Sequence, residues 1–262
     1  MTVLRIGLGG ALGRMGQALA EVLAGRADAK LVAIYDRPDV VGQALGGLTL
    51  AEASAALPAC DVAIDFSTPA ASVAVAKLAA AAGRPALVIG ATGWTEAEEA
   101  AVADAARRAP IVKSGNYSLG VNVLAGLVEQ AARRLPAADW DIEIAEVHHR
   151  RKVDAPSGTA LMLGEAAAVG RGVGLGQVRV RARDGITGPR PQGAIGFSSL
   201  RAGGVVGDHS VMFASEEEVL SLGHSARDRK LFARGAVAAA LWVADKPPGL
   251  YDMKDVLGFR DA

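Results

Sequence analysis

Between Glu146 and Ala160 the chain reads EVHHRRKVDAPSGTA. Five groups that are or can be cationic stand in a row there: His148, His149, Arg150, Arg151 and Lys152. The whole chain has only four histidines, so the pair is conspicuous. A solvated charge patch is the usual fate of a basic run. A metal site would need both histidines on one side, but neighbours on a strand face opposite ways. No further Cys, His or Glu set completes such a site, so no metal is expected. Contact with nucleic-acid phosphate would call for a basic chain. Here Lys+Arg and Asp+Glu both number 28 and the net charge is zero, so no nucleic-acid partner is expected. The residues that follow argue against a mere patch. Ser157, Gly158 and Thr159 come after Pro156 at a predicted helix start, with Ser157 as N-cap. Free N–H groups, a hydroxyl and the helix dipole favour an anion there. Cations and a helix N-terminus arriving together suit a small substrate with more than one carboxylate. A protonated His or Lys can then supply a proton.

A second candidate site lies at the start of the chain. GLGGALGRMG follows the first predicted strand and opens the first predicted helix, where a dinucleotide pyrophosphate would sit. The strict G-x-G-x-x-G spacing is not met, and Gly10, Gly13 and Gly16 form a relaxed version that a tight turn would also explain. Twenty residues past Gly16 the second strand ends in Tyr35-Asp36-Arg37. Asp36 can accept both ribose hydroxyls of an adenosine, and Arg37 can meet a 2′-phosphate. Ordinary turn residues are the alternative reading of that pair. Together they predict use of NADH or NADPH. Two further strand ends carry small residues: Gly90-Ala91-Thr92-Gly93, and Ser114-Gly115-Asn116-Tyr117, where the Asn116 amide could fix a nicotinamide. With a reduced nicotinamide nearby, the basic run points to hydride addition to a polarised C=C or C=N bond.

These residues need a scaffold at strand ends, and the hydrophobic pattern predicts one. Strands are expected at Val3–Leu8, Leu31–Tyr35, Val62–Phe66, Ala86–Ile89 and Ile111–Val112. Helices at Arg14–Leu23, Ser72–Ala82 and Glu96–Arg107 alternate with them, which implies a parallel sheet covered on both faces. A helix follows at Asn122–Leu135. After Pro136, DWDIEIAEVHH alternates as a half-exposed strand does, and a helix runs from Ser157 to Val169. VRVRAR, AIGFSSL, HSVMFA and EEEVLSLGH are four more strand candidates between Gly/Pro turns, with a helix at Leu231–Val243 and GLYDMKDVLGF as a closing tail. The fold class is therefore α/β: an N-terminal Rossmann-type domain and a C-terminal α+β domain on a mixed, mostly antiparallel sheet. The expected boundaries are 1–118, with 229–262 returning to it, and 119–228. AIGF and SVMF are expected to expose an apolar face. The 262 residues are 51% hydrophobic, ample for buried cores. No apolar run reaches the ~20 residues of a membrane helix. The start MTVLRIGLGG lacks a signal-peptide layout, and a single cysteine, Cys60, allows no intrachain disulfide. A cytoplasmic protein without a membrane partner is expected.

EVHHRRKVDAPSGTA closely resembles the central motif E-x-H-H-x-x-K-x-D-x-P-S-G-T-A of the dihydrodipicolinate reductase (4-hydroxy-tetrahydrodipicolinate reductase) family. The likeness extends over essentially the whole chain, through GRMG, DFSTP, VIGATG, GNYSLGVNV, RAGGVVGDH and ARGAVAAALWV. It implies reduction of 4-hydroxy-tetrahydrodipicolinate in lysine biosynthesis, a dicarboxylate site in the C-terminal domain, and a homotetramer built through that domain's sheet. It implies His148 as general acid–base and Lys152 as a second proton donor. His149, Gly158 and Thr159 are implied as substrate carboxylate ligands, beside Ser157. Gly10, Ala11, Leu12, Gly13, Arg14, Met15, Asp36, Arg37, Gly90, Ala91, Thr92, Ser114, Gly115, Asn116 and Tyr117 match nucleotide contacts. Ala91 stands in GATG where GTTG is common, and Asp36 where some members carry Glu, which leaves the choice between the two cofactors open.

Two rival readings share part of this pattern. An amino-acid dehydrogenase such as an aspartate dehydrogenase would use the glycine loop and the two-domain layout. It would not need His-His-x-x-Lys followed by Pro-Ser-Gly-Thr. A non-catalytic NAD(P)-binding redox sensor could dispense with His148 and Lys152, which this chain keeps.

Overall fold

The computed structural model describes residues 3–181 and 183–260. It divides into two compact units, one drawn from the chain up to Leu119 and from Lys230 onwards, the other from Gly120 to Arg229. In chain order the first unit runs β1 (Leu4–Gly9), α1 (Arg14–Ala24), β2 (Ala29–Tyr35), a small hairpin of β3 (Ala44–Leu45) and β4 (Leu48–Thr49), and α2 (Ala53–Ala56). It continues with β5 (Val62–Asp65), α3 (Pro69–Ala82), β6 (Ala86–Ile89), α4 (Glu96–Ala105) and β7 (Pro110–Lys113). Next come α5 (Leu119–Arg134), β8 (Asp141–His148), α6 (Gly158–Gly170), α7 (Leu175–Val178), β9 (Arg179–Val180), β10 (Ile195–Arg201), β11 (Gly207–Ala214) and β12 (Val219–Ala226). The chain then returns to the first unit with α8 (Lys230–Val243), β13 (Gly249–Tyr251) and α9 (Met253–Val256).

The first unit is built on a six-stranded sheet in the order β13-β7-β6-β5-β1-β2, parallel throughout. Every residue of β5 and β6 is buried, as expected of strands covered on both faces. On one face Ile6, Leu8, Ile64 and Val88 pack with Leu19 of α1 and Val237 of α8. On the other, Leu87, Ile89 and Ile111 pack with Val75 of α3 and Val102 of α4. Local signals set the helix starts. Thr68 caps α3 ahead of Pro69, and Thr95 with Glu98 forms a capping box on α4. The expected closing tail is more than a tail: Leu250 and Tyr251 of β13 pair with Ile111 and Val112. Three residues are too few to show a period.

The second unit has a five-stranded sheet in the order β12-β11-β8-β10-β9. It is mixed, and more of its paired residues lie in antiparallel ladders than in parallel ones, as expected. β12–β11 and β11–β8 are antiparallel, whereas β8–β10 and β10–β9 are parallel. The reason is the connection: the chain leaves β8 through α6 and α7 before it reaches β9 and β10, and a helical crossover brings a strand back parallel. Of the expected strand VRVRAR, Arg179–Val180 forms β9, and Ala182 lies outside the described residues. α5 and α6 cover one sheet face, where Val128, Leu163 and Ala167 meet Ile142, Ile144, Ile195, Phe197, Val211 and Phe213. The apolar side chains of AIGF and SVMF that were expected to be exposed are thus mostly the unit's own core. The uncovered face instead shows Leu200, Met212 and Val219, which are 52%, 37% and 59% exposed.

Candidate active site

The strand registers of the second unit carry its core into a polar site. Along β8 the buried positions are Ile142, Ile144, Glu146 and His148. Opposite them on β10 stand Ile195, Phe197, Ser199 and Arg201. On β11, Phe213, Val211 and His209 oppose the first three. One sheet face therefore passes from two apolar rows to two polar rows, and the α6 N-terminus lies over the polar end. Ser157 N donates to Glu146 Oε1 at 3.2 Å, and Ser157 Oγ accepts from Ala160 N at 3.1 Å as the expected N-cap.

Glu146 is 1% exposed and has the cations it needs. Arg201 grips it with two N–H···O bonds of 2.9 Å, and His148 Nδ1 lies 2.5 Å from Oε2. Burial by itself would raise the Glu146 carboxyl. The bonds from Arg201 and then His148 overcome that and bring it down to about 2. An ionised carboxylate only accepts, so Nδ1 of His148 must carry the proton. Nε2 is the nitrogen left for chemistry. It lies against Gly207, where an added Cβ would approach it to 2.9 Å. His209 stacks edge-on to His148 with ring centroids 5.0 Å apart, and its Nε2 meets Ser157 Oγ at 3.0 Å. Burial, and next the charge of His148, press the His209 pKa down to about 4, so this ring is neutral near pH 7.

The rest of the basic run lies in the turn after β8, tied by Arg150 N to Gly203 O at 3.2 Å and Lys152 N to His149 O at 3.1 Å. His149 Nε2 stands 3.4 Å from Arg229 Nη2. Its pKa is lowered, first by burial and then by Arg151 and Arg229. Lys152 Nζ pairs with Asp154 at 2.8 Å. Arg150 and Arg151 are exposed. Gly158 and Thr159 form the first turn of α6, and space above Gly158 is open.

In the first unit a cavity of about 830 Å³ opens at the carboxyl ends of β1, β2 and β5, lined by Gly10, Gly13, Tyr35, Asp36, Arg37 and Asp65 among others. Gly10 has φ +66°, and a Cβ there would lie 2.8 Å from Phe66 O, so the turn needs glycine. α1 begins at Arg14 and Met15, after Gly13, and no side chain caps it. Asp36 Oδ2 accepts from Leu12 N at 3.0 Å, which fixes the acidic residue against the glycine loop; Ala11 beside it is buried. The Arg37 guanidinium pairs with Asp39, and both side chains are exposed. Such a donor set suits an adenosine diphosphate: loop N–H groups, a helix N-terminus and an acceptor for ribose.

The other two strand ends divide differently. Packing against the Phe66 ring requires glycine at Gly90, because a Cβ there would strike that ring at 2.1 Å. Ala91 is buried, and its carbonyl accepts from Trp94 Nε1 at 2.8 Å. Thr92 is exposed beside Gly115, Cγ2 standing 3.8 Å from where a Cβ would be. Ser114 Oγ donates to Asn116 O at 2.9 Å, and Asn116 Oδ1 accepts from Ser118 N at 2.9 Å. The Tyr117 ring is buried and its hydroxyl donates to Ile89 O and Val112 O, so its side chain braces β6 and β7 and does not face a ligand.

Sequence reasoning gave no role to Glu146, Arg201, His209, Arg229 or Asp65. Glu146 was within reach, since positions two apart on a strand share a face. Arg201 and His209 lie 55 and 52 residues from their partners Glu146 and Ser157 in the chain, and only sheet register joins them. Asp65 is fully buried and accepts from Ser67 Oγ and Ser72 Oγ. Among the described residues no His/Cys/Asp/Glu group could hold a metal ion, and no helix is long and apolar enough to cross a membrane.

Comparison with known proteins is consistent in both units. Residues 4–117 match the family described as "Dihydrodipicolinate reductase, N-terminus", and residues 120–257 match "Dihydrodipicolinate reductase, C-terminus". The chain is 60% identical over 256 residues to the 4-hydroxy-tetrahydrodipicolinate reductase of Caulobacter vibrioides, with 98% of each chain covered. It is 57% identical to the protein of that name from Rhizobium rhizogenes, over 95% of this chain and 94% of the other. The solved structure "Dipicolinate bound Dihydrodipicolinate reductase from Paenisporosarcina sp. TG-14" shares the fold, with a TM-score of 0.80 at 22% identity, covering 96% of this chain and 98% of that one. With both family halves matched in order and relatives more than half identical over nearly their full length, the chain belongs to the dihydrodipicolinate reductase family, whose members are oxidoreductases.

Proposed function

We propose that the polar end of the second unit's sheet and the glycine-loop cavity of the first carry out the family's reaction. That reaction is the reduction of 4-hydroxy-tetrahydrodipicolinate to tetrahydrodipicolinate, a step of the diaminopimelate route to lysine. The observation that carries this reading is the single sheet face that presents His148, oriented by Glu146, beside the α6 N-terminus and a basic turn. Substrate and product differ by one hydroxyl, so the net change consumes a hydride and a proton and releases water.

NADH or NADPH, once bound, supplies the hydride. Gly10, Ala11, Leu12, Gly13, Arg14 and Met15 present loop and helix N–H groups to its pyrophosphate, and Asp36 accepts from its ribose. Arg37 can leave its exposed pair with Asp39 at little cost and turn to a 2′-phosphate. Gly90, Ala91, Thr92, Ser114, Gly115, Asn116 and the backbone of Tyr117 form the remaining wall. In the second unit His148 holds a proton at Nε2 when charged and releases it there, while Glu146 stabilises the imidazolium through Nδ1. Lys152 is the second proton donor. His149 together with Arg229 holds one substrate carboxylate, and Ser157, Gly158 and Thr159 hold the other at the positive end of α6. The protein acts in the cytoplasm as a homotetramer.

The test is an assay in which a dihydrodipicolinate synthase supplies the substrate, with NADH and NADPH run separately. Both should be oxidised. Arg37→Ala should lower kcat/KM with NADPH by about 10–100-fold, the value of a charged hydrogen bond, and leave NADH nearly unaffected. Equal losses with both would remove Arg37 from the 2′ position, and no oxidation of either would overturn the reading.

A further inference from the structure

We propose that Arg201 is a positioning residue that sets both proton donors, His148 and Lys152, from one guanidinium; this rests on the proton-donor roles proposed above. Arg201 closes β10 opposite His148. Its Nη1 and Nη2 donate to the two oxygens of Glu146, each at 2.9 Å. Glu146 Oε2 faces His148 Nδ1 at 2.5 Å. Nη2 also donates to Asp154 O at 2.7 Å, and the Asp154 carboxylate holds Lys152 Nζ at 2.8 Å. Nη1 is tied back to Leu200 O at 2.6 Å. One arm thus runs from Arg201 through Glu146 to His148, and the other through the Asp154 backbone to Lys152.

The first arm fixes a tautomer. A carboxylate as buried as Glu146 stays ionised only with a cation beside it. The groups that face it are Arg201, His148, the Ser199 side chain and the Ser157 N–H, with His209 across the sheet from it. Without the fork of Arg201, Glu146 takes up a proton or turns away. His148 Nδ1 then loses its obligatory acceptor, and the neutral ring shifts its proton towards Nε2, the nitrogen that faces Gly207. The second arm fixes a loop. A planar fork can hold two oxygens of one carboxylate and a third acceptor together, which an ammonium cannot do in the same geometry. Arg201 thus touches the supports of both donors, the Glu146 carboxylate and the Asp154 carbonyl.

The experiment uses the full chain with Arg201→Gln, Arg201→Lys, Arg201→Ala and Glu146→Gln, beside His148→Gln and Lys152→Met as references. Ring-nitrogen NMR of His148 gives the tautomer without turnover, and kcat and KM come from the coupled assay. In Arg201→Gln we expect His148 to lose its Nδ1–H signature. The drop in kcat should be about 10–10²-fold, part of what a general acid contributes, with KM little changed. Glu146→Gln should give the same nitrogen shifts, Arg201→Lys should not restore the wild type, and guanidinium added to Arg201→Ala should recover part of kcat. A folded Arg201→Gln with wild-type nitrogen shifts, or a loss confined to KM, overturns the proposal. If Arg201→Gln does not fold, Arg201→Lys and Glu146→Gln carry the same readouts. Full kcat in His148→Gln and Lys152→Met would instead overturn the proton-donor roles, and the nitrogen shifts would still decide whether Arg201 holds His148.

Discussion

His148 and Lys152 are supported from behind, by Glu146 and Asp154, whereas Arg150 and Arg151 of the same run extend into solvent. This difference gives a comparison of four variants. His148→Gln and Lys152→Met should each lower kcat by ~10²–10⁴-fold, the usual contribution of a general acid. Arg150→Ala and Arg151→Ala should change it much less, and cofactor Kd should hold in all four. Equal losses in kcat across the set would mean that the run acts as a diffuse positive patch. His209 offers a test through stability. Its pKa falls from the ordinary 6.5 to about 4, because burial and the neighbouring His148 disfavour its charged form. Between those values the unfolded chain binds a proton that the folded chain refuses. The contribution is therefore fully present above pH 6.5 and is lost as pH falls through 4, amounting to about 1–3 kcal/mol. His209→Gln keeps a polar group near Ser157 but does not titrate. Its melting temperature should fall less than that of the wild type between pH 6.5 and 4, and identical slopes would rule out His209 as the source.

At the level of elements, the N-terminus of α6 is tied to the polar end of the sheet through Ser157. Ser157 caps the helix through Oγ, receives or gives a hydrogen bond at His209, and donates its N–H to Glu146. Ser157→Ala removes the cap, worth about 1 kcal/mol, and leaves Nε2 of the buried His209 unpaired, worth about 1–3 kcal/mol. Denaturant unfolding should show a loss of about 2–4 kcal/mol, and a loss below half a kcal/mol would mean that water replaces the hydroxyl. The start of this helix was legible because Pro-Ser-Gly-Thr is a local signal, and β6 was legible because ALVI is a short fully apolar run. β13 was not, since its three residues become a strand only by lying beside β7. The parallel pairing of β8 with β10 was equally hidden, because alternation of side chains is the same in both directions of pairing.

For the whole molecule, the uncovered sheet face of the second unit bears on assembly. Leu200, Met212 and Val219 expose apolar side chains on that face, each in a different row of the sheet. The residues first expected there, in AIGF and SVMF, turned out to be mostly internal. The tetramer proposed on the family's precedent should pair these sheet faces. Light scattering should give four times the chain mass, and Met212→Glu should lower it by placing a charge in the contact. A monomer mass for the unaltered chain would sink the idea.

The sequence by itself determined the family, the order of α/β and mixed units, the glycine loop with its acidic partner, and the identity of the basic run. Each of these is either a contiguous motif or a local periodicity. It could not decide which cation answers which anion. Glu146 and Arg201 lie on parallel neighbouring strands, and His209 reaches Ser157 from a third. Those partnerships depend on register, which is fixed by packing of Ile142, Ile144, Ile195, Phe197, Val211 and Phe213 beneath α5 and α6. A slip of one residue would turn Glu146 and His148 to the uncovered face, so the tertiary core, and not the motif, chooses which nitrogen of His148 is held by Glu146.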